Sequence, residues 1–288
     1  MSDKAIDDHT GTETTGHEWD GIKELNTPLP RWWLWTFYAS IVFAIGWTIA
    51  YPAWPVIDGA TKGLLGGSAR SELHGELTTA KTAQAQFADK IAATPVADIL
   101  KDDQLVQFAR AAGKSLFKVN CAQCHGAGAT GATGYPNLND DDWLWGGSID
   151  QIYATITHGA RVATDPDTHM NIMPNFGTDA ILTPDQIKTV AAQVASLSGI
   201  EGGADTPEGK QLFADNCAAC HGDAGEGLPE LGGPALNDKI WLFEGTLAAI
   251  TAQINQPKAG VMPAWTARLG DTAVKELAVY VHGLGGGQ

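Results

Sequence analysis

The sequence contains four cysteines, and all of them lie in two Cys-x-x-Cys pairs that are each followed directly by a histidine. The pairs are Cys121-Ala-Gln-Cys124-His125 and Cys217-Ala-Ala-Cys220-His221. Two thiols three residues apart lie on one side of a helical turn, where they can add to the two vinyl groups of one haem, and the next imidazole then faces the iron. The spacing predicts two covalently bound haem c groups, each with a histidine as an axial iron ligand.

Zinc binding, thioredoxin-like redox chemistry and simple disulfides fit these cysteines less well. A zinc site of this type has its two Cys pairs about 15–20 residues apart, whereas Cys124 and Cys217 are 93 positions apart. A thioredoxin-like site needs a βαβ context, and the surrounding sequence favours helix. Two disulfides leave the histidine at the same offset in both pairs unexplained.

Two methionines are the predicted second axial ligands. Met173 and Met262 each precede a proline, at matching places in the repeat described below. A thioether is a weak donor that favours ferrous iron, so His/Met ligation raises the reduction potential. The spacing leaves open which methionine binds which haem, and His158 and His169 are alternatives for the first iron. Two six-coordinate irons leave no open position for a substrate, so we predict electron transfer and no catalytic residue.

An internal repeat contains both sets of motifs. The matching segments are 114–126 with 210–222, 136–140 with 234–238, 143–145 with 241–243, and 173–176 with 262–265. Apolar residues recur at helical spacing around them, and Thr183-Pro-Asp-Gln186 is a capping-box sequence. The prediction is a mainly α fold with two tandem class I cytochrome c-like domains, at residues 103–200 and 205–288.

A long apolar segment precedes the repeat. Residues 32–57 contain no charged side chain, and such a length crosses a hydrocarbon core of about 30 Å as a helix. We predict one transmembrane helix at 32–55, a cytoplasmic tail at 1–31 and a periplasmic linker with a helix at 56–102. A buried core helix and a cleaved signal peptide are the alternatives, but the segment is too long for the former and begins too late for the latter.

The residues also predict the orientation of the chain in the membrane and the charge of the part outside it. Haem attachment to this motif takes place outside the bacterial inner membrane, so a single-pass protein with periplasmic haem domains is expected. The net charge is −15, which argues against binding to nucleic acid or to anionic lipid headgroups; lipid contact is expected only along the helix. Residues 56–288 carry 26 acidic and 15 basic side chains. This surface is either an attractive face for a basic cytochrome or merely a well-solvated one.

The N-terminal region carries a family resemblance. Its motifs are His-Glu-Trp-Asp-Gly-Ile-Lys-Glu-Leu-Asn at 17–26, Pro-Leu-Pro-Arg-Trp-Trp at 28–33 and Tyr-Pro-Ala-Trp-Pro at 51–55. With the two haem motifs and two Met-Pro motifs following in order, nearly the whole chain resembles subunit III of cbb3-type cytochrome c oxidases, the CcoP or FixP family.

The resemblance implies an electron-transfer subunit of a respiratory oxidase. Family members pass electrons from the bc1 complex, through a soluble or anchored cytochrome c, toward a haem–copper catalytic subunit that reduces oxygen and pumps protons. The expected partners are that subunit and a monohaem cytochrome c subunit. The resemblance also implies that both Cys-x-x-Cys-His motifs bind haem and that Met173 and Met262 are axial ligands, with exchange between the haems possible. A free-standing anchored dihaem carrier and a dihaem peroxidase are the competing hypotheses.

Overall fold

A computed structural model describes residues 5–286 of the chain. These residues form two units, one that ends at Thr82 and one that begins at Ala83. The outermost residues of the segments predicted at 1–31 and 205–288 lie outside the described range.

Helices predominate in both units, as predicted. In chain order they are α1 Arg31–Ala50, α2 Ala69–Ala93, α3 Val96–Ile99, α4 Asp103–Asn120, α5 Ala122–His125, α6 Ile149–His158, α7 Pro184–Leu197, α8 Pro207–Asn216, α9 Ala218–His221, α10 Leu247–Asn255, α11 Thr266–Leu269 and α12 Asp271–His282, with a 3-10 turn at Pro229–Leu231. Short strands form two antiparallel pairs, β1 Thr14–Trp19 with β2 Ile22–Leu25 and β3 Pro55–Val56 with β4 Gly59–Ala60.

The β1–β2 hairpin was not predicted, because the polar composition of this region suggested a tail without its own core. Trp19 pairs with Ile22 across a two-residue turn, Asp20-Gly21, in which φ is 51° and 84°. A type I′ hairpin turn needs positive φ at both central positions, and Asp-Gly meets this need at low cost. The Asp20-Gly21 pair was therefore the signal in the sequence that could have revealed the hairpin.

Helix α1 is long and apolar enough to cross a membrane, and no other helix in residues 5–286 meets both conditions. None of its side chains is buried by residues 5–286, as expected for a helix that faces lipid. The helix ends at Ala50, because Tyr51 takes extended backbone and Pro52 cannot continue the helical hydrogen bonding. Residues 51–55 of the predicted span therefore lie outside the helix.

The second unit contains two apolar cores, and each is built from both copies of the repeat. The first core joins α4 and α6 to α12, and includes Phe117, Ile152 and Leu277. The second core joins α8 and α10 to α7, and includes Phe213 and Val190. The last helix of each copy thus packs in the core of the other copy. The predicted boundaries at 103–200 and 205–288 follow the order of the repeat, whereas the packing crosses between them.

Both cores use the same helix crossing. A Cβ atom on Gly113 would lie 2.7 Å from the Cβ atom of Tyr280, and one on Gly209 would lie 3.0 Å from the Cβ atom of Gln193. Gly113 and Gly209 occupy equivalent positions of the repeat, as do Tyr280 and Gln193. Glycine lets the two helix backbones approach closely at this point. The exchange of the last helices therefore preserves one packing arrangement in both cores.

The predicted helical pattern of α7 is confirmed. Thr183 accepts a hydrogen bond from the backbone of Gln186, whose side chain returns to the Thr183 backbone in a capping box. Ile187, Val190 and Val194 are buried on one face, as their spacing indicated.

The buried carboxyl of Glu276 makes stability depend on pH. Glu276 lies on α12 with 8% of its surface exposed, and this burial raises the pKa of its carboxyl from 4.5 to about 7. Because the folded-state pKa is above that of the unfolded chain, the folded state is favoured by protonation, and stability falls as pH rises through about 7. We expect Glu276→Gln to raise the free energy of unfolding by about 2 kcal/mol at about pH 8 and by much less at about pH 5.

Denaturant unfolding in detergent, followed by circular dichroism at the two pH values, measures this difference. Glu201→Gln, at an exposed position, is the matched control and is expected to change stability by less than about 0.5 kcal/mol. An equal effect of Glu276→Gln at both pH values would contradict the prediction.

Candidate haem-binding sites

The two Cys-x-x-Cys-His motifs have the same local structure. In each, a long helix ends at the first cysteine, and a single helical turn, α5 or α9, carries the second cysteine and the histidine. Gly126 and Gly222 then reverse the chain with φ of 79° and 81°, a backbone conformation that side-chain-bearing residues rarely adopt. Two thiols and an imidazole are thus presented from one compact turn at each site.

A proline carbonyl orients each histidine. Nδ1 of His125 lies 3.0 Å from the carbonyl oxygen of Pro136, and Nδ1 of His221 lies 2.9 Å from that of Pro234. With Nδ1–H donating to this oxygen, Nε2 keeps its lone pair for a metal. Burial also lowers the pKa of both imidazoles, so each is neutral at neutral pH, as an iron ligand must be.

The cysteines form no disulfide and are poor candidates for thiolate chemistry. All four are free, and burial, with a smaller effect of the neighbouring cysteine, raises the pKa of both Cys121 and Cys217 to about 11. Reactive and zinc-binding cysteines need an accessible thiolate. Cys121 and Cys217 are therefore protonated at neutral pH, and each shares one turn with a second cysteine, an arrangement that fits thioether attachment.

The loop that carries Met262 docks on the first core. Ala160 and Met262 form an antiparallel backbone pair in which each N–H donates to the other carbonyl oxygen at 3.0 Å. The Trp265 N–H donates to the carbonyl of Ile156, at 3.1 Å. Gly159 is needed beside this pair, because its φ is 68° and a Cβ atom would lie 2.8 Å from the carbonyl carbon of Pro263. Met262 consequently packs against the same core as Cys121.

The loop that carries Met173 docks on the second core through different backbone hydrogen bonds. The N–H groups of Gly177 and Thr178 donate to the carbonyl of Asn255, at the end of α10, at 3.1 and 3.2 Å. Met173 packs against the core that contains Cys217. The two methionine loops are therefore exchanged between the copies, together with the helices that follow them.

Each core offers a donor set that fits a c-type haem. The first brings together Cys121, Met262 and the apolar side chains of Leu138 and Trp143. The second brings together Cys217, Met173 and the equivalent apolar side chains, Leu236 and Trp241. A neutral imidazole, a thioether and two thiols in apolar surroundings are the groups that His/Met haem c binding requires.

The alternative ligands His158 and His169 have other partners. Nδ1 of His158 lies 3.1 Å from a carboxylate oxygen of Asp165. The His169 ring stacks on Trp145 with centroids 4.6 Å apart, and its Nε2 lies 3.1 Å from the Thr155 hydroxyl. These contacts favour methionine over histidine as the second ligand.

Carboxylates of both copies meet near the sites. Asp140 and Asp238 follow the histidine-binding prolines by four residues each. Burial, together with the charges of Asp238 and Asp140, raises the pKa of Asp142 to about 6. Negative charge from the two copies is therefore concentrated at one place.

Three protein-family models match the chain in succession. They are the N-terminal domain of cytochrome oxidase-cbb3, FixP, at residues 11–58, cytochrome c at residues 110–198, and cytochrome c oxidase, cbb3-type, subunit III, at residues 204–281. The first match covers the unpredicted hairpin and α1, and the other two cover the two copies of the repeat.

Full-length relatives are similar over almost the entire chain. The cbb3-type cytochrome c oxidase subunit FixPc of Rhizobium leguminosarum bv. viciae is 57% identical over 288 residues, which is 100% of both chains. Subunit FixP of Sinorhizobium medicae is 56% identical over 99% of this chain and 98% of its own. Subunit CcoP of Cereibacter sphaeroides is 49% identical over 96% and 95%, respectively.

Replacing His158 tests whether it takes part in ligation. We expect His158→Gln to leave the low-spin absorption spectra of both haems unchanged, since His158 is paired with Asp165, and to reduce stability by at most about 1 kcal/mol. His125→Gln is the control, and it is expected to remove the low-spin signature of one haem. A new high-spin species in His158→Gln would restore His158 as a candidate ligand.

Proposed function

The chain belongs to the FixP/CcoP family of cbb3-type cytochrome c oxidase subunits, and from this premise we propose how its residues carry out electron transfer. Family membership establishes a cytochrome c subunit of the oxidase with two covalent haem c groups. We propose that the first haem is bound by the first motif and the second by the second. The binding residues are Cys121, Cys124 and His125, and Cys217, Cys220 and His221.

We propose that the methionines are exchanged, so that His125 and Met262 would hold the first haem iron, and His221 and Met173 the second. The observation that carries this assignment is the backbone pair between Ala160 and Met262, which holds the second Met-Pro motif on the first core. The bonds from Gly177 and Thr178 to Asn255 support the reciprocal assignment. These backbone bonds support the exchanged pairing among the arrangements that the sequence left open.

The histidine and methionine side chains would hold each haem iron. When bound, haem c supplies one-electron oxidation and reduction. The Nδ1–H bonds to Pro136 and Pro234 fix the ring orientation and make each imidazole a better donor, and the methionine thioether favours the reduced state. With a histidine and a methionine both bound, a haem iron at either site would have no open position for peroxide or oxygen. We therefore propose a non-catalytic relay.

The apolar helix and the place of haem attachment support an orientation, and the family supports the partners. We propose that α1 spans the bacterial inner membrane in contact with lipid, with residues 1–31 cytoplasmic and residues from about 56 onward periplasmic, where haem attachment takes place. The proposed partners are the haem–copper catalytic subunit, a monohaem cytochrome c subunit and a cytochrome c donor. The net charge of −11 on residues 56–288 would speed association with a basic donor, in a salt-dependent manner.

A spectral label on one haem tests the exchanged pairing. Cys220→Ala leaves the second haem with a single thioether and one conjugated vinyl group, which shifts its α-band to longer wavelength. In this background, Met173→His is expected to lower the midpoint potential of the labelled haem, and Met262→His that of the unlabelled haem, because imidazole stabilises ferric iron more than a thioether does. Redox titration followed at the two α-bands gives the answer.

The reciprocal label provides the control for the pairing experiment. With Cys124→Ala, the labelled haem is the first one, so Met262→His should now affect the labelled band. If each methionine instead changes the haem of its own copy under both labels, the exchange is refuted.

Purification in mild detergent tests the place of the chain in the oxidase. We expect it to co-purify with a haem–copper subunit and to be needed for oxygen consumption with reduced cytochrome c as donor, with no peroxide turnover of its own. A free-standing carrier would be recovered alone, and loss of its gene would leave oxygen consumption partly intact. A peroxidase would consume peroxide in the isolated subunit.

A further inference from the structure

One arginine contacts the backbone next to both methionines. Arg161 follows α6, and the Nε–H of its guanidinium donates to the carbonyl of Gly260 at 2.5 Å. An Nη1–H donates to the carbonyl of Asn171 at 3.3 Å. Gly260 lies two residues before Met262, and Asn171 lies two residues before Met173. The same side chain therefore binds equivalent positions of the two exchanged loops.

The guanidinium is itself held in place by the first copy. The central carbon of the guanidinium lies 5.3 Å from the centroid of the Trp145 ring. The same ring stacks on His169 at an interplanar angle of 5°. The Arg161 N–H donates to the carbonyl of His169 at 2.7 Å. A backbone φ of 59° at Arg161 is uncommon for a residue with a long side chain, and these contacts account for it.

Residues of the second copy also contact Trp145 and Asn171, the neighbours of Arg161. The N–H of Trp145 donates to the carbonyl of Pro229 at 2.7 Å, and the Asn171 side-chain amide donates to the carbonyl of Leu231. The ring of Trp145 also lies against Gly232, where a Cβ atom would be 2.6 Å from Nε1. Arg161 thus lies where the loops of both copies meet, and its orientation depends on both.

We propose that Arg161 is a positioning residue that ties the two methionine loops together, so that both methionine–iron bonds depend on one guanidinium. The inference rests on the proposed ligation by Met173 and Met262. A guanidinium has a planar set of donors in fixed directions, so it can serve both carbonyls only while the loops keep their relative position. Hydrogen bonds from a charged donor are about twice as strong as neutral ones.

Because methionine is a weak iron ligand, the hydrogen bonds of Arg161 to the two loops matter for ligation. The thioether–iron bond is a soft contact that must be maintained by the position of its loop. Loss of the Arg161 bonds is expected to increase the population in which the methionine has left the iron. An exogenous ligand then binds more tightly in proportion to that population. Because Arg161 reaches both loops, the effect should appear at both haems together.

Arg268 offers a matched control within the chain. Its guanidinium carbon lies 4.8 Å from the centroid of the Trp265 ring, so it also contacts an aromatic side chain near a methionine. Trp265 belongs to the first core, and neither a bond nor a ring contact of Arg268 with the Met173 loop is present within residues 5–286. Replacing it should leave the second haem unchanged.

The experiment uses the full chain in its detergent-purified complex, with Arg161→Gln, Arg161→Lys and Arg268→Gln. The readouts are the long-wavelength charge-transfer band of methionine-ligated ferric haem, imidazole binding to the ferric protein, and midpoint potentials, with the two haems distinguished by the Cys220→Ala label. For Arg161→Gln we expect imidazole affinity to rise about tenfold at both haems, with both potentials lowered. Arg161→Lys keeps the charge without the planar fork and should give a smaller rise at both.

The outcomes separate this inference from the ligation on which it rests. If the unmodified protein lacks the charge-transfer band, methionine ligation fails, and the role of Arg161 fails with it. If the band is present but Arg161→Gln changes neither haem, or only one, the tie between the loops is refuted while ligation stands. If the Arg161→Gln protein does not assemble, the Arg161→Lys protein provides the test. Unchanged imidazole binding at both haems of the Arg161→Lys protein overturns the proposal. A lower melting temperature with unchanged ligation indicates a merely structural arginine.

Discussion

Two backbone hydrogen bonds between Ala160 and Met262 hold the second methionine loop on the first copy of the repeat. Helix α12 follows this loop, so once Met262 lies beside α6, α12 is directed to α4 rather than to the helix of its own copy. The first copy's own methionine loop then lies beside Asn255 of the second copy. The helix crossings at Gly113 and Gly209 and the composition of both apolar cores are consistent with this single exchange.

Much of each binding turn was predictable, because its chemistry is local. Cysteines three residues apart with an adjacent histidine need only one turn of helix to present their groups together, and α5 and α9 supply that turn. The capping box at Thr183 is local in the same sense. The carbonyl partners of the histidines, Pro136 and Pro234, lie within matching segments of the repeat, although their role was not apparent before the structure.

The exchange itself was beyond sequence analysis, for a physical reason. Val274, Leu277 and Val281 on α12 have the same spacing as Ile187, Val190 and Val194 on α7, so either helix has an apolar face suited to either core. A hydrophobic pattern specifies that a face is buried but not against which of two equivalent partners. Only contacts between distant residues, such as the backbone pair of Ala160 and Met262, distinguish the two arrangements.

Because α12 packs against the first copy, the order of synthesis determines when each core can form. The ribosome releases α4 and its cysteine turn early, yet the core around them lacks α12 until residue 282 has emerged. For the second core, in contrast, α7 is synthesised before α8, so all of its helices are present once α10 has been synthesised. The copy that is translated first is therefore the last whose core is complete, so its Cys-x-x-Cys-His turn stays outside a closed core for longer. A chain truncated before α12 would lose the earlier domain and retain the later one.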